Sequence, residues 1–340
     1  MSAASVPHAP VAVLGAGSWG TALAIQFARA GHMVRLWSRD RAALTAMDRA
    51  RRNARYLPDA PFPDSLMLEP ELAGALRGAQ NAVIVVPSHA FRALLTDVAR
   101  LADAGTGIAW ATKGFEQGSG LLPHQVAREV AGTRASVAVL SGPTFAREVG
   151  AGLPTAMTVA SPDEGYAKTL AEAISSATFR AYTSTDIVGV ETGGAVKNVL
   201  AVGAGLSDGL GFGANSRIAL ITRGLAEMTR LGVALGARSE TFMGLAGLGD
   251  LVLTCTDDQS RNRRFGLLLA GGAAPQDALR EIGQVVEGYP AARAVLAVAR
   301  RETVSMPIVE GIHRTLYDGV PAIDVVRELM SRPVRAEFDG

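Results

Sequence analysis

The chain has 340 residues, of which 48% are hydrophobic and 19% charged, with a formal net charge of +1. That length suits two domains, and that balance suits a globular protein rich in buried strands and excludes a disordered chain. Near-neutral charge gives no general attraction for nucleic acid or anionic membrane, so an acidic substrate has to be met by locally placed cations.

In chain order, Val11 to Leu14 is a short apolar strand that ends in Gly15-Ala16-Gly17-Ser18-Trp19-Gly20 and opens directly into a helix over Thr21 to Ala30. A second apolar strand, Met33 to Trp37, follows the Gly31-His32 break, so the three pieces form a βαβ unit. In such a turn Gly15 takes the turn conformation, Gly17 leaves room for a pyrophosphate, and Gly20 lets helix and strand pack closely. The helix N-terminus adds free N–H groups and a positive dipole end, and the bound group is therefore an anionic dinucleotide. Residues 2–28 carry no charged side chain, as a signal peptide or membrane span would. Met1 to Pro10 lacks a positive n-region, however, and three glycines with Ser18 suit a phosphate turn, so the expectation is a soluble, cytoplasmic chain with no membrane span.

The second strand ends at Trp37-Ser38-Arg39-Asp40. An NAD-selective unit places an acidic residue there for the ribose 2′-OH, whereas Arg39 and Ser38 suit a 2′-phosphate. Asp40 either caps the next helix or turns back onto the ribose. The first alternative predicts that NADPH is used at least as well as NADH.

A basic helix is expected over Ala42 to Arg55, its arginines on a solvated face, followed by an extended, proline-rich connection from Pro58 to Pro63. Strands at Ala82–Val86, Ile108–Thr112 and Val137–Leu140 deliver Pro87-Ser88, Lys113-Gly114 and Ser141-Gly142-Pro143-Thr144 to one sheet edge, where ligands bind in such folds. A helix runs from about His89 to Leu101, and alternation continues through strands at Thr155–Ala160 and Phe179–Tyr182. From about Thr185 the pattern is helical: Val188–Leu206, Ile218–Leu231, Pro275–Ile282, Pro290–Arg301 and Ala322–Met330. The fold class is thus α/β, with a Rossmann-type dinucleotide-binding domain over residues 1–190 and an all-α, substrate-binding domain over 191–340.

The single cysteine, Cys255, allows no internal disulfide, fits a reducing compartment and reads as a small core residue. The histidines, His8, His32, His89, His124 and His313, lack metal-ligand spacing, and no metal site is expected. Lys197 lies in an otherwise small and apolar helix, Glu191 to Leu200, where a lysine is either snorkelling, ion-paired, or aimed at a ligand carbonyl. Gly244 to Asp250 brings backbone close to a neighbour, and Ser260-Arg261-Asn262-Arg263-Arg264 reads as either a phosphate-binding fork or a solvated basic turn.

These blocks, with Val285-Val286-Glu287-Gly288 added, resemble in order those of the bacterial NAD(P)-dependent sn-glycerol-3-phosphate dehydrogenases over nearly the whole chain. The resemblance implies that Lys197 is the catalytic proton donor and acceptor, with Asp250 orienting or charge-balancing it. It also implies that Lys113, Gly142, Thr144, Lys197, Asp250, Ser260, Arg261 and Asn262 surround a phosphorylated triose. Ser18, Trp19, Arg39, Lys113, Ala146, Arg261, Val285 and Glu287 would join Gly15, Gly17 and Gly20 around NADP or NAD. A cytoplasmic homodimer supplying glycerol phosphate for phospholipid synthesis is the implied setting. The alternatives are a related hydroxyacid dehydrogenase, which would not need Arg261, and a non-catalytic dinucleotide sensor, which would not need Lys197.

Overall fold

The computed structural model describes residues 9–132, 136–334 and 336–337. The chain divides into two units, the first comprising residues 1–194 and 236–250 and the second 195–235 and 251–340. The division after Gly194 falls inside a helix, and the return of 236–250 is a feature that one cut at residue 190 does not contain. That return has a steric reason, because a methyl group on Gly193 would sit 2.4 Å from the Ala246 carbonyl oxygen, so the glycine-rich segment packs backbone to backbone against its own unit.

The first unit runs β1 (Val11–Leu14), α1 (Ser18–Arg29), β2 (Val34–Trp37), α2 (Arg41–Ala50), β3 (Arg52–Asn53), β4 (Leu57–Pro61), β5 (Leu66–Glu69), α3 (Leu72–Leu76), β6 (Asn81–Ile84) and α4 (Ser88–Leu101). It continues through β7 (Gly107–Trp110), α5 (Pro123–Ala131), β8 (Val137–Ser141), α6 (Ala146–Ala151), β9 (Thr155–Ala160), α7 (Glu164–Ile174) and β10 (Phe179–Ser184). Eight strands form one sheet in the order β10-β9-β8-β7-β6-β1-β2-β5, parallel except where β9 meets β8. The strands are apolar on both faces because both are covered: Val11 and Val13 pack in one core with Leu23 and Phe27, Ala12 and Leu14 in the other with Leu95 and Trp110. Between β1 and β6 the strand order reverses direction, the switch point at which such sheets bind ligands.

The basic helix ends at Ala50 and not at Arg55, because Arg51 adopts a left-handed conformation (φ 49°) that stops the α-helix. The proline-rich connection becomes β4, which pairs only with β3 in a small antiparallel hairpin, a position that tolerates Pro58 and Pro61.

Then come α8 (Ile187–Gly209) and α9 (Ala214–Ala234), a 3₁₀ turn at Ser239–Met243 and a π turn at Leu245–Gly249. The chain ends with α10 (Asp250–Thr256), α11 (Arg261–Ala270), α12 (Pro275–Ile282), α13 (Gly288–Arg301), α14 (Pro307–Tyr317) and α15 (Ala322–Met330). Among the described residues no strand follows β10, and no helix is long and apolar enough to cross a membrane. In the second unit α8 and α11 touch through backbone: a methyl on Gly205 would lie 2.0 Å from the Arg263 carbonyl oxygen, and one on Gly266 2.2 Å from that of Val202. Cys255 is fully buried in this unit.

Glu227 of α9 crosses to α14, where its carboxylate accepts the backbone N–H groups of Ile308 (2.8 Å) and Val309 (3.2 Å) in the first turn. Burial pushes its pKa from 4.5 up to about 7, against the pull of those two bonds and of Arg230 and Arg332. A carboxyl whose folded pKa is raised contributes stability that is complete below its unfolded pKa and lost as pH rises through the folded one. Urea unfolding of wild type and Glu227→Gln should therefore diverge with pH. The neutral variant gains on wild type by about 3 kcal/mol between pH 4.5 and 8 at the full shift, and parallel pH profiles would overturn this assignment.

Candidate active site

The glycine turn after β1 does three separate jobs. Gly15 has φ +123°, and a methyl there would lie 2.2 Å from the Val85 carbonyl oxygen. A methyl on Gly20 would lie 1.8 Å from the Gly15 carbonyl oxygen, so α1 can approach β1 only without one. Gly17 differs, since a methyl there meets nothing within 4 Å: the space over the turn is open. Gly17 is also the N-cap of α1 and supplies no capping side chain, which leaves the first helical N–H groups for an anion. These features fit the pyrophosphate of a dinucleotide. Ser18 is partly exposed in the first turn, and Trp19 packs against the sheet core.

A residue that sequence reasoning missed supports this turn. The Asn53 amide, 2% exposed at the end of β3, donates to the Ala16 carbonyl (3.0 Å) and to Thr21 Oγ1 (2.8 Å). Neither spacing nor composition marks it, because its partners lie 32 and 37 positions away.

At the end of β2 the Asp40 carboxylate accepts the Ala43 N–H (2.9 Å) and so caps α2, while its own N–H donates to Ser38 Oγ (3.3 Å). The Arg39 side chain is exposed at the same corner. Asp40 is thus engaged by the helix.

Lys113, three residues beyond the end of β7, donates from Nζ to Asp250 Oδ2 at 2.7 Å, in a pair whose carboxylate side chain is 2% exposed. The stem of Lys113 lies along Gly194, where a methyl would come within 3.4 Å of its Cγ and Cδ and of Ser141 Oγ. Gly142 has φ +152° and backs onto Met157, whose Cα would be 2.9 Å from a methyl there. Thr144 Oγ1 donates to the Gly142 carbonyl (3.2 Å), and Ala146 opens α6. Ser141 Oγ is buried without a hydrogen-bond partner among the described residues.

In the second unit, Lys197 is 7% exposed on α8, and its Nζ donates to Thr254 Oγ1 at 3.0 Å. Asn198 follows it, and Asn198 Oδ1 accepts from the Asn262 amide at 2.9 Å, while Asn262 Oδ1 accepts the Gly288 N–H at 2.9 Å. One buried asparagine therefore ties together the neighbours of Lys197, Arg261 and Glu287. Glu287 is the N-cap of α13, and Val285 is exposed before it.

Ser260 caps α11 by accepting the Arg263 N–H (3.2 Å). The basic run separates sharply: Arg263 is held internally by Asp208 (2.6 Å) and Asp258, with Arg217 also on Asp208 (3.0 Å), Arg264 is exposed, and Arg261 occupies the first helical position. A cation in a first turn opposes the helix dipole by roughly 0.3–1 kcal/mol, a cost that an anion bound beside Arg261 would reverse. Thr254 and Asn198 were not singled out from sequence, having no signal beyond their helical spacing.

Among the described residues no group of three or more histidine, cysteine or acidic side chains is arranged to hold a metal, and His8 lies outside them.

Two family profiles match the chain, "NAD-dependent glycerol-3-phosphate dehydrogenase N-terminus" over residues 10–167 and "NAD-dependent glycerol-3-phosphate dehydrogenase C-terminus" over 186–327. The chain is 56% identical over 329 residues to a glycerol-3-phosphate dehydrogenase (NAD(P)+) of Thioalkalivibrio sulfidiphilus, covering 97% of this chain and 99% of the relative. It is 53% identical to a protein of the same name from Cronobacter sakazakii, covering 97% and 98%. A crystal structure of glycerol-3-phosphate dehydrogenase from Coxiella burnetii superposes with a TM-score of 0.92 at 47% identity, covering 95% of this chain and 99% of that one.

Proposed function

The chain belongs to the NAD-dependent glycerol-3-phosphate dehydrogenase family, and from this premise and the local geometry we propose that it interconverts dihydroxyacetone phosphate and sn-glycerol 3-phosphate with NAD(P)H. The observation that carries the reading is the buried lysine of α8 beside Asn198, whose hydrogen-bond partner Asn262 adjoins Arg261. An acid and a phosphate-binding cation are thus fixed within one unit.

When bound, the nicotinamide would supply the hydride chemistry at C2 of the triose. Lys197 donates a proton to the carbonyl oxygen during reduction and recovers it during oxidation, and its positive charge stabilises the oxyanion meanwhile. Thr254 holds the ammonium nitrogen and so limits the side-chain freedom that would blur its aim. Arg261 binds the substrate phosphate by charge-assisted hydrogen bonds, and Ser260 and Asn262 hold it in place through the cap and the Asn198–Gly288 bonds. Lys113, balanced by Asp250, is a second cation for the substrate, and Gly142 and Thr144 border it. Gly15, Gly17, Ser18, Trp19 and Gly20 receive the cofactor, with Arg39, Ala146, Val285 and Glu287 completing its contacts.

The setting we propose is a cytoplasmic homodimer that supplies glycerol phosphate to phospholipid synthesis. Oxidation of NADH and NADPH should be measured with dihydroxyacetone phosphate and with keto acids, alongside nucleotide binding. Turnover of keto acids alone, or binding without turnover, would overturn the proposed reaction.

Cofactor choice follows from the β2 corner. With Asp40 engaged as a helix cap, Arg39 and Ser38 meet the ribose, and NADPH should serve at least as well as NADH. Arg39→Ala should raise KM for NADPH more than for NADH, and an equal or reversed change would show that Arg39 does not read the 2′-phosphate.

A further inference from the structure

We propose that Glu191 is a positioning residue for Lys113, acting through Trp110; the inference rests on the substrate-binding role just given to Lys113. Glu191 lies in the first turns of α8 with its side chain 1% exposed. Its Oε1 accepts the Trp110 indole N–H at 2.9 Å and the backbone N–H of His124 at 2.9 Å, and its Oε2 meets His124 Nδ1 at 2.5 Å. One carboxyl group thereby joins the last residue of β7, the first turn of α5 and α8, all within the first unit.

The register gives this junction a purpose. Lys113 comes three residues after Trp110, and Gly194 comes three residues after Glu191, one turn along the same side of the helix. The Lys113 stem rests where a Gly194 methyl would be, and its ammonium reaches Asp250. The Glu191–Trp110 bond therefore fixes the distance between α8 and the strand end one step before the lysine, and the lysine inherits that distance. Trp110 is fully buried, so its indole N–H has no water to fall back on if Glu191 is lost, and the strand end must shift to find another acceptor. Burial also pushes the Glu191 carboxyl above the usual range for a glutamate, which makes a neutral amide a fair replacement.

A purely architectural role would lower stability and leave substrate affinity alone. The test is steady-state kinetics, below the melting transition, on Glu191→Leu, Glu191→Gln and Lys113→Ala. Glutamine keeps an oxygen for Trp110 and His124 N–H and offers an amide N–H to His124 Nδ1, whereas leucine keeps only the bulk. Glu191→Leu should raise KM for dihydroxyacetone phosphate about tenfold and KM for NADPH by a smaller factor, because Lys113 is assigned to the cofactor as well, and Glu191→Gln should stay within about threefold of wild type in both. The Trp110 indole N–H resonance, identified by its absence in Trp110→Phe, should move in the leucine variant and hold its place in the glutamine one.

A leucine variant with a lower melting temperature and unchanged KM would overturn the positioning role. So would a glutamine variant as impaired as leucine. If Lys113→Ala itself leaves KM for dihydroxyacetone phosphate unchanged, the fault lies in the role assigned to Lys113.

Discussion

Lys197→Ala should lose nearly all turnover while binding NADPH about as well as wild type. Positioned proton transfer contributes about 10²–10⁴-fold to rate, and the ammonium also stabilises the oxyanion. The residue is buried, and its nitrogen is held by Thr254, so truncation to alanine removes the positioned donor itself. The cofactor turn is made of Gly15, Gly17 and Gly20 of the first unit, whereas Lys197 belongs to the second. Single-turnover NADPH oxidation and a fluorescence titration of NADPH separate the two effects. A variant that keeps more than about a tenth of kcat would remove Lys197 from proton transfer.

Arg261→Ala should reduce kcat/KM for dihydroxyacetone phosphate by ten- to a hundredfold or more, and should barely change it for unphosphorylated dihydroxyacetone. Each charge-assisted bond to phosphate is worth about 1.5–3 kcal/mol, and each 1.4 kcal/mol is a factor of ten. The contrast between the two substrates matters more than the size of the loss. Arg263, two positions on, is already paired with Asp208 and Asp258, so its removal would unbalance the buried Asp208 carboxylate and act through stability. Equal losses for the two substrates in Arg261→Ala would mean that Arg261, too, is architectural.

What the sequence discloses here is whatever lies within one turn or one strand. The Gly15–Gly20 fingerprint, the strands feeding Lys113 and Ser141, and the oddity of Lys197 in an apolar helix are all local patterns. The structure bears out the α/β unit and the helical run after β10, with β9, α12 and α15 at their expected bounds. Partnerships are another matter. Lys113 finds Asp250 at a separation of 137 residues, Trp110 finds Glu191 at 81, and Arg263 finds Asp208 at 55. No periodicity encodes such pairs, which exist only once strands and helices have been ordered. The Arg261-Asn262-Arg263-Arg264 run shows the limit most plainly: four polar residues in a row divide into a ligand candidate, a structural hub, an internal ion pair and a solvated side chain. The helix expected to reach Arg55 was cut short by a left-handed Arg51, a conformation seldom taken outside glycine and asparagine that the sequence does not announce.

The bond from Asn53 to the glycine turn bears on how this nucleotide unit can be handled as a part. The strand–turn–helix motif is often regarded as portable, a cassette to be lifted from one scaffold to another. Here its carbonyl at Ala16 and its hydroxyl at Thr21 are answered by an amide that arrives from the β3–β4 hairpin, beyond α2. Trimming that hairpin to make a minimal cassette would strand two polar groups in a buried place, at about 1–3 kcal/mol each. A transferable piece of this chain therefore has to extend at least through β4, and a chimera built from residues 9–40 alone would inherit the fingerprint without the brace that keeps it in shape.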